Sequence, residues 1–206
     1  MSANEGPPFR ATVAVHHDCH APNYWCILSL AACRDVHPPY HRLGDRDDVV
    51  VFRTEPLPEA IEVTGPIVAH LWISSDSVDT DFTLKLIDEY PSSPEYPQGY
   101  AMNLTDGILR ARYRESWERP QFMKPGQVYR VTISAFPTSN LFAKGHRIRL
   151  DISSSNFPHF DANPNTGEPE GTAKRAQIAR NRIHFGGKYG SHVVLPVIPA
   201  FRRSTA

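Results

Sequence analysis

The feature that most constrains this chain is a period-two alternation of apolar and polar residues, recurring in short runs from about residue 46 onward. Ile67, Ala69, Leu71 and Ile73 alternate with Val68, His70 and Trp72. Phe82, Leu84 and Leu86 alternate with Thr83 and Lys85, and Leu109, Ala111 and Tyr113 with Arg110, Arg112 and Arg114. Tyr129, Val131, Ile133 and Ala135 alternate with Arg130, Thr132 and Ser134, and Ile148, Leu150 and Ile152 with Arg147, Arg149 and Asp151. Runs at 49–52 and 193–195 open and close the set. Such alternation places one face of each strand in a core and the other in water. Turn residues separate the runs, as in Thr64-Gly65-Pro66, Pro125-Gly126 and Lys144-Gly145. Nineteen scattered prolines disfavour long helices. Many short strands with turns between them indicate an all-β sandwich. The missing strand–helix–strand rhythm argues against a parallel α/β sheet. One short helix is expected around Thr172–Ala179.

Residues 1–45 lack either period and read as an irregular leader or linker, unrelated to the sandwich or the product of a misplaced gene start. Residues 46–200 form the sandwich and 201–206 a tail. The three cysteines, Cys19, Cys26 and Cys33, all lie in the leader, so no disulfide framework holds the main body. Leu30-Ala31-Ala32-Cys33 resembles a lipoprotein cleavage box. The region before it carries Glu5 and Asp18 against Arg10, where a basic segment belongs. A cytoplasmic location is therefore expected, with export through Cys33 as the alternative. No apolar run reaches the roughly 18 residues of a bilayer span. Lys+Arg and Asp+Glu both number 22, and a net charge of zero disfavours nucleic-acid binding by bulk electrostatics.

A serine-hydrolase elbow needs Gly-x-Ser-x-Gly, and none occurs; Ser191 follows Gly190 without the second glycine. A triad is recognised by geometry, so sequence order alone does not exclude one. His16, His17, Asp18, Cys19, His20, Cys26 and Cys33 carry metal-ligand chemistry, but their spacing matches neither CxxC nor HExxH. The run Asp161-Ala162-Asn163-Pro164-Asn165-Thr166-Gly167 starts like a calcium loop. Its glycine is one place late, and Thr172 stands where a bidentate Glu belongs. The same residues favour turns for local reasons, so neither metal nor cofactor is assigned. Arg110, Arg112 and Arg114 on one strand face read first as a solvated face paired with Asp151 or Glu115, and second as an anion site. Trp117, Phe122, Phe136, Phe142, Phe157 and Phe160 lie near loops; they suit packing more than sugar stacking.

Four separated segments carry a resemblance: 74–88 around Asp79-Thr80-Asp81-Phe82, NLTDGILRARYRES at 103–116, PTSNLFAKGHRIRLDISSSNFPHFDANPNTG at 137–167, and SHVVLPVIP at 191–199. Together they resemble the C-terminal jelly-roll β-sandwich, galactose-binding-like in fold, of the X-Pro dipeptidyl-peptidase and cocaine-esterase (CocE/NonD) hydrolases. The resemblance implies a non-catalytic module that follows an α/β-hydrolase domain and helps to wall its active-site entrance. That other domain supplies the serine, acid and histidine for cleaving acyl esters, amides or X-Pro peptides. No catalytic residue carries over to this chain, which is expected to be an accessory, docking or truncated module, inactive alone.

A face normally covered by a partner is exposed when alone. Trp117, Phe136, Phe142, Asn156, Phe157, His159, Phe160 and Asp161 are the candidate partner-facing or active-site-wall residues. The expected partner is an α/β-hydrolase catalytic chain or a second copy. Two other functions compete: a carbohydrate-binding jelly-roll, and an enzyme using Cys19 with His16, His17 or His20.

Overall fold

The computed structural model describes residues 19–21, 46 and 48–199. Its strands are β1 (Cys19–Ala21), β2 (Val50–Arg53), β3 (Ile61–Ser75), β4 (Asp81–Tyr90), β5 (Tyr100–Arg110), β6 (Tyr129–Phe142), β7 (Arg147–Ser153), β8 (Ala179–Gly186), β9 (Tyr189–Gly190), β10 (His192–Val194) and β11 (Val197–Ile198). All pairings are antiparallel. Among the described residues, one sheet has four strands in the order β2-β7-β4-β5. The other runs β1-β8-β3 with β6 on the far side of β3, and short β10 and β11 also dress β3. The chain therefore alternates between sheets, with β4 and β5 joined as a hairpin, in the manner of a jelly-roll sandwich. Cys19–Ala21, inside the segment 1–45, supplies β1 to the larger sheet.

The alternating runs face inward as period two requires. Ile67, Ala69, Leu71 and Ile73 of β3 lie opposite Ala135, Ile133, Val131 and Tyr129 of β6. They meet Phe82, Leu84, Leu86, Leu109, Ile148 and Ile152 of the smaller sheet in one core. Asp88 closes the core at one end, accepting from Asn140 Nδ2 at 3.1 Å and facing His146 Nδ1 at 2.9 Å.

Two expectations need correction. The strand read through Arg114 stops at Arg110, and Ala111–Tyr113 form a single 3-10 turn. The hydrogen bond from Ala111 N to Thr80 O, 2.8 Å, is the last rung of the ladder, and Arg114 N then turns back to Ala111 O at 3.2 Å. The short helix expected near Thr172–Ala179 is absent: 171–178 is turn and extended chain, and Ala179 already begins β8.

The sheets approach closely at Gly107 of β5. A Cβ there would lie 2.7 Å from Ser134 O and 2.9 Å from Ala135 Cα, both backbone atoms of β6. Neither can yield without moving a strand. Gly107→Ala is therefore expected to lower stability by about 1–3 kcal/mol, as overpacking does. A fall in the urea midpoint with unchanged m-value would confirm it, and an unchanged midpoint would show that the seam is loose.

Candidate functional site

Three of the four motif segments converge on one buried polar network. Asp79 and Asp81 flank Thr80 just before and at the start of β4, and both are buried. Asp79 accepts from Arg112 N at 2.9 Å and from Arg112 Nε at 2.7 Å. Asp81 is gripped by Arg110, with Nε at 3.0 Å and Nη2 at 3.1 Å. Asn163 Nδ2 joins the two carboxylates, at 2.9 Å from Asp79 and 2.7 Å from Asp81. Arg110 also reaches Glu170 at 3.0 Å and the Asp161 carbonyl at 3.4 Å, and Arg112 reaches the Glu168 carbonyl at 3.1 Å. The long segment 154–178 is thus pinned across the outer face of the smaller sheet. Asn165, in the left-handed region at φ 62°, is locked by donation to Gln177 O at 3.0 Å.

Burial pushes the Asp81 carboxyl up, against the pull of Arg110 and Asn163. Burial also disfavours the Arg110 charge, but hydrogen bonds and charge from Asp81 and Glu170 outweigh it and raise its pKa. The two-pronged geometry is that of an ion pair, and we assign both groups as charged. Arg110 and Arg112 therefore belong to a buried network and form neither a solvated face nor an anion site, whereas Arg114 does reach the expected Glu115, at 3.9 Å. Asp151, expected as a partner of that face, is instead held by Arg149 through two contacts of 2.8 Å. Burial raises its carboxyl above the ordinary range. The calcium-loop reading also gives way: Asn163 spends its amide on two aspartates and its oxygen on Asn165 N, 2.9 Å.

Beside this network lies a shallow concavity of about 330 Å³, lined by Asn103, Leu104, Thr105, Asp106, Phe136, Pro137 and His159. Asp106 accepts from Asn156 Nδ2 at 2.9 Å and faces Lys85 Nζ at 3.5 Å and His159 Nε2 at 3.8 Å. Thr105 Oγ1 donates to Phe136 O at 2.8 Å, fixing the rim. The Asn103 Oδ1 is buried and among the described residues accepts no hydrogen bond.

Of the eight candidate residues, Phe136 and His159 line this concavity, and Asn156 supports it through Asp106. Phe157 is exposed nearby in sequence, joined to Pro158 by a cis peptide. Phe160 packs edge-on against His159 at 4.6 Å. Asp161 is exposed and contributes its carbonyl to Arg110. Trp117 stands apart in the β5–β6 connection, 73% exposed and stacked on Tyr113. Phe142 is a correction: it is fully buried in the core and faces no partner. Asp106, Asn103 and Lys85 were missed by sequence reasoning. Asp106 stood in one of the motif segments, but nothing local marked it as facing a hollow.

One serine–histidine contact has the length of a nucleophile–base pair: Ser74 Oγ lies 2.9 Å from His184 Nε2. Ser74 is buried, and its strand runs straight through a ladder with β8, opposite Arg182. The sharp strand-to-helix turn that exposes a nucleophile and assembles its oxyanion donors is not present there. On the same outer face, His70 and His192 sit opposite one another. Burial lowers the His70 pKa, and His192 and Arg130 add to the shift. Among the described residues, no group of three or more His, Cys, Asp or Glu is arranged around a metal position. No helix among them is long and apolar enough to cross a membrane. The metal-ligating cluster in 16–33, the proposed Cys19 nucleophile and the Cys33 box lie outside the residues whose side chains are described.

Comparison with known proteins places this architecture. Residues 5–194 match the X-Pro dipeptidyl-peptidase C-terminal non-catalytic domain. The chain is 48% identical over 161 residues to the cocaine esterase of Rhodococcus sp. (strain MB1 Bresler), covering 76% of this chain and 26% of that protein. Among solved structures it is similar to an aminopeptidase from a marine sediment archaeon, Thaumarchaeota archaeon, with TM-score 0.74 and 32% identity over 80% of this chain and 28% of the other. It is also similar to an alpha-amino acid ester hydrolase, with TM-score 0.71 and 32% identity over 76% of this chain and 26% of the other. The chain thus spans about a quarter of the length of the relatives it matches. Its strand order, its motif segments and these matches agree, and the chain belongs to the family of X-Pro dipeptidyl-peptidase C-terminal non-catalytic domains, the β-sandwich of the cocaine-esterase (CocE/NonD) hydrolases.

Proposed function

We propose that this chain works as a docking wall for an α/β-hydrolase domain, whose serine chemistry on esters, amides or X-Pro peptides it helps to enclose. The observation that carries the reading is Phe136, an aromatic 63% exposed on the rim of the Asp106–His159 concavity. Phe157, also exposed, follows directly from the Asn156 that anchors Asp106. A large apolar ring left in water beside polar groups is a common mark of an interface. The segment behind the rim is held by the buried aspartate–arginine network, so a partner would meet a preorganised surface.

The test has two arms. The purified chain, treated with a fluorophosphonate and weighed intact, is expected to carry no adduct and to turn over neither an acyl ester nor an Ala-Pro anilide. Mixed with the separately produced catalytic portion of the Rhodococcus cocaine esterase, it is expected to form a complex that Phe136→Ser weakens at least tenfold, as loss of an interface anchor does. A stoichiometric serine adduct would overturn the non-catalytic assignment. Binding unaffected by Phe136→Ser would move the docking face elsewhere.

A further inference from the structure

We propose that His70 and His192 form a two-imidazole site for a borderline divalent transition cation such as Zn²⁺ on the outer face of the larger sheet. The two residues are direct cross-strand partners on β3 and β10, so the sheet itself sets their separation. Their ring centroids are 5.1 Å apart. A zinc–nitrogen bond of about 2.05 Å puts the ion about 3.2 Å from each ring centre. Two rings 5.1 Å apart then subtend about 105° at a shared ion, close to the tetrahedral angle that zinc adopts.

The second observation concerns the other nitrogen of each ring. His192 Nδ1 lies 2.6 Å from the Gly190 carbonyl. A carbonyl only accepts, so Nδ1 carries a proton, and in the neutral imidazole Nε2 is the nitrogen with the lone pair. His70 Nδ1 lies 3.1 Å from Thr132 Oγ1, and a hydroxyl can accept from it in the same way. Metal-binding histidines are oriented by this kind of second contact, with the far nitrogen left for the ion. The ring of His192 is exposed, so an ion can reach the pair from solvent. Arg130, opposite Trp72 on β6, is the nearby cation that opposes binding. Water would fill the remaining positions, which makes this a weak site compared with a four-ligand structural one.

The leader also carries His16, His17, His20 and three cysteines, so bulk stoichiometry would not locate the ion. The experiment is therefore a Zn²⁺ titration of the full chain followed by residue-resolved amide NMR. Saturable shifts are expected at Leu71 and Val193, beside the two histidines. His192→Asn is expected to weaken those shifts at least tenfold in zinc concentration, and His70→Gln to do the same. Responses at 16–33 are expected to persist in both variants. Sheet amides that do not move while the leader responds would overturn the proposal. So would sheet shifts that survive both substitutions.

Discussion

Arg112→Ala is expected to destabilise the domain by about 3–5 kcal/mol, the cost of leaving a buried charge without its partner. Asp79 has no exposed surface, and Arg112 is its charged partner. The Asn163 amide and the Arg112 backbone N–H would remain on Asp79, but neither neutralises a carboxylate. At this chain length the loss corresponds to a fall in Tm on the order of 10 °C. Thermal and urea unfolding of the purified variant would measure it. Asp79→Leu combined with Arg112→Met is expected to recover most of the stability, because removing both charges removes the desolvation cost as well. A loss under about 1 kcal/mol for Arg112→Ala would put the pair in the class of surface ion pairs.

Phe142→Ala is expected to cost about 3–5 kcal/mol as a large core side chain is removed. Phe136→Ser, on the same strand, is expected to stay within about 0.5 kcal/mol, as surface changes do. The contrast tests how β6 is built. Simple alternation puts positions 136 and 142 on one face. The register shifts between Gly65 and Ile67, however: Gly65 pairs with Thr138 and Ile67 with Ala135. Phe136 and Pro137 thus oppose the single residue Pro66, a bulge that reverses inward and outward along the strand. Positions 129 to 135 point inward at odd numbers, and Phe142 points inward at an even one. Equal unfolding midpoints for the two variants would refute the bulge.

What the sequence conveyed follows the same physics. Strands with one wet face, such as β3 and the first half of β6, were legible because apolar and polar residues alternate. Strand β4 was only half legible. Thr83 and Lys85 looked solvated but are buried. Lys85 faces Asp106, the anchor of Asn156, and Asp81 is bound by Asn163 from the overlying segment. Strand β8 was missed, since Arg180, Arg182 and His184 interrupt it and only Ala179 and Asn181 are fully buried. The family was legible from four segments far apart in the chain. That Asp79, Arg112 and Asn163 touch was not, because contact between distant polar residues leaves no local period.

The pinned segment also limits how these modules can be recombined. A designer wishing to change the entrance of a related hydrolase would be tempted to transplant 154–178 as one cassette. Half of its fastening lies elsewhere, in Asp79, Asp81, Arg110 and Arg112. A graft carrying only the segment would set its Asn163 and carbonyl groups against whatever the recipient holds at those places. The transferable unit is therefore discontinuous, a lock and its keeper cut from three stretches of chain, and chimaeras should be drawn along that boundary.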